Sequence, residues 1–281
     1  MPWMTTTALL LGVDFSSAPS RRKPITVACG RHDGRSVQLG AIDELPSLQH
    51  FERLLAEPGP WFGAFDFPFG LPRVFVEAHR LGADCGTVIA ALHARCADRM
   101  AFRALVDDWG RARLAGQRLV HRATDTAHPA ASTSPLQTRY VPVGFMYYEG
   151  LARLVAADVT LPGLRVGDPL RVAVEGYPGR LAFDLIGRRS YKNRDDGERR
   201  AARNDLLDAL TQDRGGLGLE LRLTRVQRDA IVADPGGDLL DAVLCLMQAA
   251  WAEMRPDHGV PAQVDPLEGW IVGPPSPAAA A

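Results

Sequence analysis

Short apolar runs alternate with amphipathic stretches along the chain. Leu9 to Asp14 (LLLGVD) is a brief apolar run ended by Asp and by the turn chemistry of Ser16, Ser17 and Pro19, the pattern of a buried strand. Ile25 to Cys29 and Ser36 to Ala41 flank His32-Asp33-Gly34 and predict a hairpin. Ser47 is placed to cap a helix to about Glu57, with Leu48, Phe51, Leu54 and Leu55 on one face, and Pro58-Gly59-Pro60 stops it. Trp61 to Asp66 (WFGAFD) is a second apolar run closed by Asp.

From Pro72 to about Gly116 the pattern is helical, rich in Arg and Ala. Ala123 to Pro142 is rich in Ser, Thr, Pro and His and reads as a long loop, a feature that is usually functional or flexible inside a compact domain. Tyr147 to Ala157 predicts a helix, and Leu170 to Tyr177 (LRVAVEGY) a strand carrying Glu175. Pro178 suits the first position of a helix to about Ile186. Asp195 to Gln212 and Thr224 to Val232 predict two more helices. The clearest is Asp238 to Met254, where Leu239, Val243, Leu246, Ala250 and Met254 form an apolar stripe. With no internal repeat and no clean linker, the expectation is one domain over residues 1–273. A helical and loop insertion is expected at about 72–160, and a disordered tail over 274–281 (PPSPAAAA).

Composition narrows the class. The chain has 281 residues, 46% hydrophobic, enough for a sizeable core. The early apolar run from Ala8 to Val13 falls far short of the roughly 20 residues of a membrane span. No basic segment precedes it, so neither a membrane nor a secretory signal is expected, and the cytoplasm is the expected location. The four cysteines form no CxxC pair, and the spacing of His79, Cys85, His93 and Cys96 fits no standard zinc knuckle. Thirty-two Lys and Arg against 33 Asp and Glu argue against a polybasic binder but leave room for a local groove. Between Arg188 and Arg228 there are 11 basic and 7 acidic residues. Arg222, Arg225 and Arg228 recur every three residues, and Arg111, Arg113, Arg118 and Arg122 form a second concentration. Such groups read equally as phosphate contacts or as solvated helix faces.

Four acids stand where a strand ends or on an apolar helix: Asp14, Asp66, Glu175 and Asp241. Parallel strands bring their carboxyl ends together, where sites in open α/β sheets form. Asp238 and Asp241 share one helix face, and Asp238 also reads as that helix's N-cap. Taken singly, each acid reads as a cap or a surface residue. Taken together they would repel one another, a conflict that hard divalent cations remove. Two ions roughly 3.5–4 Å apart serve phosphodiester cleavage elsewhere.

The segments GVDFSSAPS, FDFPFGLP, VEGYP followed by YK, GDLLDAVLCLMQAAW and EGWIV resemble the domain-of-unknown-function family numbered 429, described as predicted ribonuclease-H-like nucleases. The resemblance runs from about Leu9 to Trp270 and is weakest between Val74 and Tyr140. It implies an α/β fold with a ribonuclease-H-like mixed sheet of five strands flanked by helices. Asp14 would be the central metal ligand, Asp66 and Glu175 strand-end ligands, and Asp241 the helix ligand with Asp238 beside it. Mg²⁺ or Mn²⁺, as two ions, is the implied cofactor.

The expected function is therefore divalent-metal-dependent nuclease activity, with Asp14, Asp66, Glu175 and Asp241 catalytic and DNA or RNA as substrate. Lys192 in the family-like YK is the leading phosphate contact, joined by Arg122, Arg199 and Arg203 and by Ser16 and Ser17 after the first strand. Two alternatives stay open: an ATP-binding phosphotransferase or ATPase of the actin-like or sugar-kinase type, with Gly215-Gly216 and Gly236-Gly237 as weak adenosine-site glycines, and a non-catalytic nucleic-acid-binding module.

Overall fold

The computed structural model of the chain describes residues 8–275. Their strands are β1 (Leu9–Asp14), β2 (Ile25–His32), β3 (Ser36–Leu45), β4 (Trp61–Phe65), β5 (Val159–Thr160), β6 (Asp168–Glu175) and β7 (Glu220–Arg222). They form one mixed, mostly parallel sheet in the order β5-β6-β4-β1-β2-β3-β7. The sheet thus has seven strands among the described residues, not the five expected, because β5 and β7 extend its two edges. At two and three residues, both are too short to carry an alternation pattern. The hairpin forms as predicted, with β1, β2 and β3 antiparallel in turn, while β4 pairs parallel to β1, and β6 parallel to β4.

The helices are α1 (Leu48–Ala56), α2 (Arg73–His79), α3 (Cys85–Arg95), α4 (Arg99–Arg111), α5 (Ala123–Thr126), α6 (Val143–Ala156), α7 (Pro178–Ile186), α8 (Gly197–Thr211), α9 (Arg225–Ala233) and α10 (Asp238–Glu253). Ser47 caps α1 as its position predicts, its hydroxyl accepting from the His50 N–H. The loop read over Ala123 to Pro142 holds the short α5, and α6 begins at Val143, four residues ahead of its expected start. Residues 276–281 of the expected disordered tail lie outside the described residues. Among those described, no helix is long and apolar enough to cross a membrane.

Two apolar cores sandwich the sheet. Leu11, Val13 and Phe65 face one, with Phe51 of α1 and residues of α2, α3, α4 and α6. Leu10, Phe62 and Ala64 face the other, with α7, α8 and α10. The stripe read on α10 is an underestimate, since Leu240 to Ala252 are buried almost all round. A helix apolar on every side belongs in a core.

Glycine sets how closely α10 approaches. A Cβ on Gly12, at the middle of β1, would lie 2.1 Å from both the Ala242 carbonyl oxygen and the Leu246 nitrogen. Backbone therefore rests on backbone, and any side chain at that position wedges the helix away. Gly12→Ala is expected to cost roughly 3 kcal/mol through overpacking that repacked side chains cannot relieve. Urea denaturation monitored by circular dichroism measures it.

Candidate metal centre

Strand alternation decides which acids meet. Gly12 faces α10, so Asp14, two positions on, falls on the same side. Phe65 faces the opposite core, which puts Asp66 on the α10 side, and the Asp66 N–H donates to the Val13 carbonyl at 2.9 Å. Asp241, in the first turn of α10, lies over these two strand ends. Asp14, Asp66 and Asp241 each offer an oxygen, and the three oxygens lie within 4.8 Å of one another.

The cluster's charge is only partly balanced. Asp241 accepts the Tyr191 hydroxyl at one oxygen and the Lys192 ammonium at the other, both at 2.5 Å. Burial, reinforced by the Asp241 carboxylate and opposed by Lys192, pushes the Asp66 carboxyl up to about 7. Burial, with Asp241 and Asp66 adding repulsion, holds Asp14 well above the ordinary carboxylate range. Tyr191 and Lys192 arrive on a segment that passes tightly over the start of α10. Gly237 caps that helix at φ 83°, and a Cβ there would sit 2.7 Å from the Lys192 Cβ.

Glu175 does not join the cluster. Val13, Phe65 and Glu175 stand in register across β1, β4 and β6, so Glu175 shares the face of Val13 and Phe65, opposite Asp14 and Asp66. The β6 position with the right parity is Gly176, whose N–H donates to the Phe65 carbonyl. Both Glu175 oxygens are taken by Arg122, at 2.6 and 2.8 Å, and the Phe69 N–H adds a third bond. Arg122 is likewise no surface phosphate contact: it is 1% exposed and also pairs with buried Asp125.

Other expected contacts are also committed internally. Arg203 is fully buried and donates to the Tyr191 and Val232 carbonyls, which supports the segment that carries Lys192. Arg199 binds Asp196 and the Lys192 carbonyl. Ser17 is buried with its carbonyl accepting from Arg99, and Ser16 is half-buried beside it. Asp238 is the first residue of α10 rather than its cap, outside the triad, and Asp234 accepts from the Leu239 N–H instead. Arg222 lies on β7 and Arg225 and Arg228 on α9, so the three share no single helix face, and each pairs with an acid: Glu220, Asp229 and Asp208. Of the residues in the rejected zinc spacing, Cys85 faces the Leu164 carbonyl and His93 stacks on Tyr148.

Two residues that matter escaped sequence reading. Tyr191 was visible only as the neighbour of Lys192, with nothing to indicate that its hydroxyl reaches Asp241. Asp125 stands three residues after Arg122, a spacing that does pair charges on one helical turn and was open to notice. Beside the triad opens a cavity of about 240 Å³ whose lining includes Asp66, Lys192, Phe67, Met146, Tyr177 and the Arg122–Glu175 pair.

Arg122→Met strands the buried Glu175 and Asp125 carboxylates and is expected to cost about 3–5 kcal/mol. A solvent-facing phosphate contact would cost within about 0.5 kcal/mol. Guanidinium denaturation separates the two roles without any assay of activity.

No curated protein and no solved structure matches the chain. A family model described as "Protein of unknown function (DUF429)" matches residues 12–264, a span that contains all three acids of the triad, the Arg122–Glu175 pair and the Tyr191-Lys192 segment. The chain belongs to this family, DUF429.

Proposed function

We propose that the protein is a divalent-cation-dependent phosphodiesterase of ribonuclease-H-like architecture that cleaves nucleic acid. The observation that carries this is the convergence of Asp14, Asp66 and Asp241, each offering an oxygen within 4.8 Å of the others, at the ends of β1 and β4 and the start of α10. The order of parts supports it too: a strand ending in Asp, a hairpin, a helix, a second strand ending in Asp, and a late helix bearing DxxDA.

The donor set fits a hard cation. All three ligands are carboxylates, the chemistry that suits Mg²⁺ or Mn²⁺, and their mutual repulsion is what an added positive charge relieves. When bound, such an ion supplies Lewis acidity and neutralises charge that develops on a phosphodiester. With Glu175 held by Arg122, three carboxylates remain for it, and the two-ion expectation loses a ligand.

The chain's own groups complete the site. Tyr191 and Lys192 fix the orientation of Asp241 from either side. The Lys192 side chain is 37% exposed and lines the cavity beside Asp66, so its ammonium can meet a non-bridging phosphate oxygen there. Arg203 and Arg199 hold the backbone of that segment, which keeps the Lys192 position fixed while substrate arrives.

Asp14→Asn is expected to lower Mg²⁺- or Mn²⁺-dependent cleavage of a mixed oligonucleotide by about 100-fold or more, since loss of even an outer-sphere partner costs a metal site about 10–100-fold. Unchanged cleavage overturns the assignment. ATP turnover without cleavage would favour the phosphotransferase alternative, and nucleic-acid binding with neither would favour the non-catalytic one.

A pH dependence follows from Asp66. Its carboxyl holds a proton up to about 7 in the fold against 3.8 ordinarily, so the folded chain binds more protons than the unfolded one between these values. The metal-free protein therefore loses stability as pH rises toward 7. Because a cation must displace that proton, Mn²⁺ should raise the melting temperature more at pH 8 than at pH 5.5. Asp66→Asn should shrink the difference, with Asp14 supplying what remains, and differential scanning fluorimetry at the two pH values measures it.

A further inference from the structure

The phosphodiesterase assignment leaves open what form of nucleic acid is bound, and the cavity beside the triad bears on this. Its walls are mainly apolar: Phe67, Pro68, Val143, Met146, Ile271 and the ring of Tyr177. Phe67 and Ile271 are almost fully buried behind it. Its charged lining consists of Asp66, Lys192 and the mutually paired Arg122 and Glu175, and Ser132 and Thr133 add hydroxyls. At about 240 Å³ it falls below the roughly 300–1,000 Å³ of sites for drug-sized ligands, which suits one flat ring system rather than a chain of nucleotides.

The arginines concentrated between Arg188 and Arg228, with Arg122, are largely committed within the protein. Arg122 and Arg203 are inside the protein, while Arg189, Arg200, Arg222 and Arg228 are paired with acids. By contrast, Val141 on the cavity lining is uncharged and 55% exposed, and Tyr140, which precedes it in the chain, is 93% exposed. An exposed aromatic is a platform on which an unpaired base stacks.

We propose that this cavity is a nucleobase pocket, which takes one unpaired base while the adjoining phosphodiester lies between Asp66 and Lys192. The substrate is then single-stranded at the cleaved position, because a base held in a duplex has its edge paired and its faces stacked and cannot enter a pocket that takes a single ring system. The pocket rests on the phosphodiesterase assignment for what happens to the substrate, but nucleotide binding can be read without any cleavage.

The test uses the full chain with ¹³C-methyl-labelled methionine and a nucleoside 5′-monophosphate, titrated in the presence of Mg²⁺. The Met146 methyl resonance is expected to shift and saturate. Met146→Trp, which fills the slot, should weaken binding at least tenfold, whereas Met146→Leu, which keeps its volume, should bind within about twofold of the parent and controls for folding. In parallel, single-stranded and blunt duplex oligonucleotides of one sequence are compared, with the single strand expected to be cut at least tenfold faster. An unmoved Met146 methyl, Met146→Trp that is folded and binds normally, or equal cutting of duplex and single strand each overturns the base pocket. Loss of all cleavage activity with the methyl shift retained instead overturns the phosphodiesterase assignment and leaves the pocket standing.

Discussion

The arrangement depends on one contact, the seating of α10 on β1 where Gly12 has no side chain. With backbone against backbone, the first turn of α10 is brought down to the level at which β1 and β4 end. Asp241 reaches Asp14 and Asp66 only because that distance is short. The same closeness makes α10 a fully buried helix, so the acid at its start is surrounded by protein rather than water. The apolar packing that stabilises the fold is thus also what raises the Asp14 and Asp66 carboxyls above their ordinary range.

Charge inside the protein is handled in two ways, on the two faces of the same strands. On the face away from α10, Glu175 and Asp125 share Arg122, which hydrogen-bonds both, an arrangement that leaves an excess of one negative charge. On the α10 face, three carboxylates meet a single ammonium, and Tyr191 adds a hydrogen bond but no charge. A buried cluster in which each acid is paired serves structure, while one left further short of positive charge is where an external cation is bound most readily.

Asp14, Asp66 and Asp241 were legible in the sequence because each breaks a rule that the residues around it obey: an acid closes an otherwise apolar strand, or interrupts an apolar helix. Glu175 obeys the same description and was misplaced for a physical reason. Which face a strand residue takes depends on register against the neighbouring strand, and LRVAVEG carries small apolar residues on both faces, so its alternation does not reveal the buried side. The arginines show a similar limit. Arg122 and Arg203 count as surface charge in any composition, since burial of a guanidinium depends on partners distant in the chain, such as Glu175 for one and the Val232 carbonyl for the other. The hairpin, the longer helices and the parallel strands, by contrast, follow from local pattern, and the two- and three-residue edge strands and the four-residue α5 were missed.

The position of Glu175 has a consequence for how β6 finds its place. Val172, Ala173 and Val174 are similar in size and polarity, so apolar burial alone discriminates weakly between one alignment of β6 on β4 and its neighbour one residue away. A slip of one step would carry Glu175 around to the crowded carboxylates and leave Arg122 with Asp125 alone. Like charges would be forced together on one face, while on the other a buried guanidinium lost its two bonds to Glu175. The two charged clusters, back to back across a single layer of strands, therefore act as a lock on alignment that the hydrophobic residues between them do not supply.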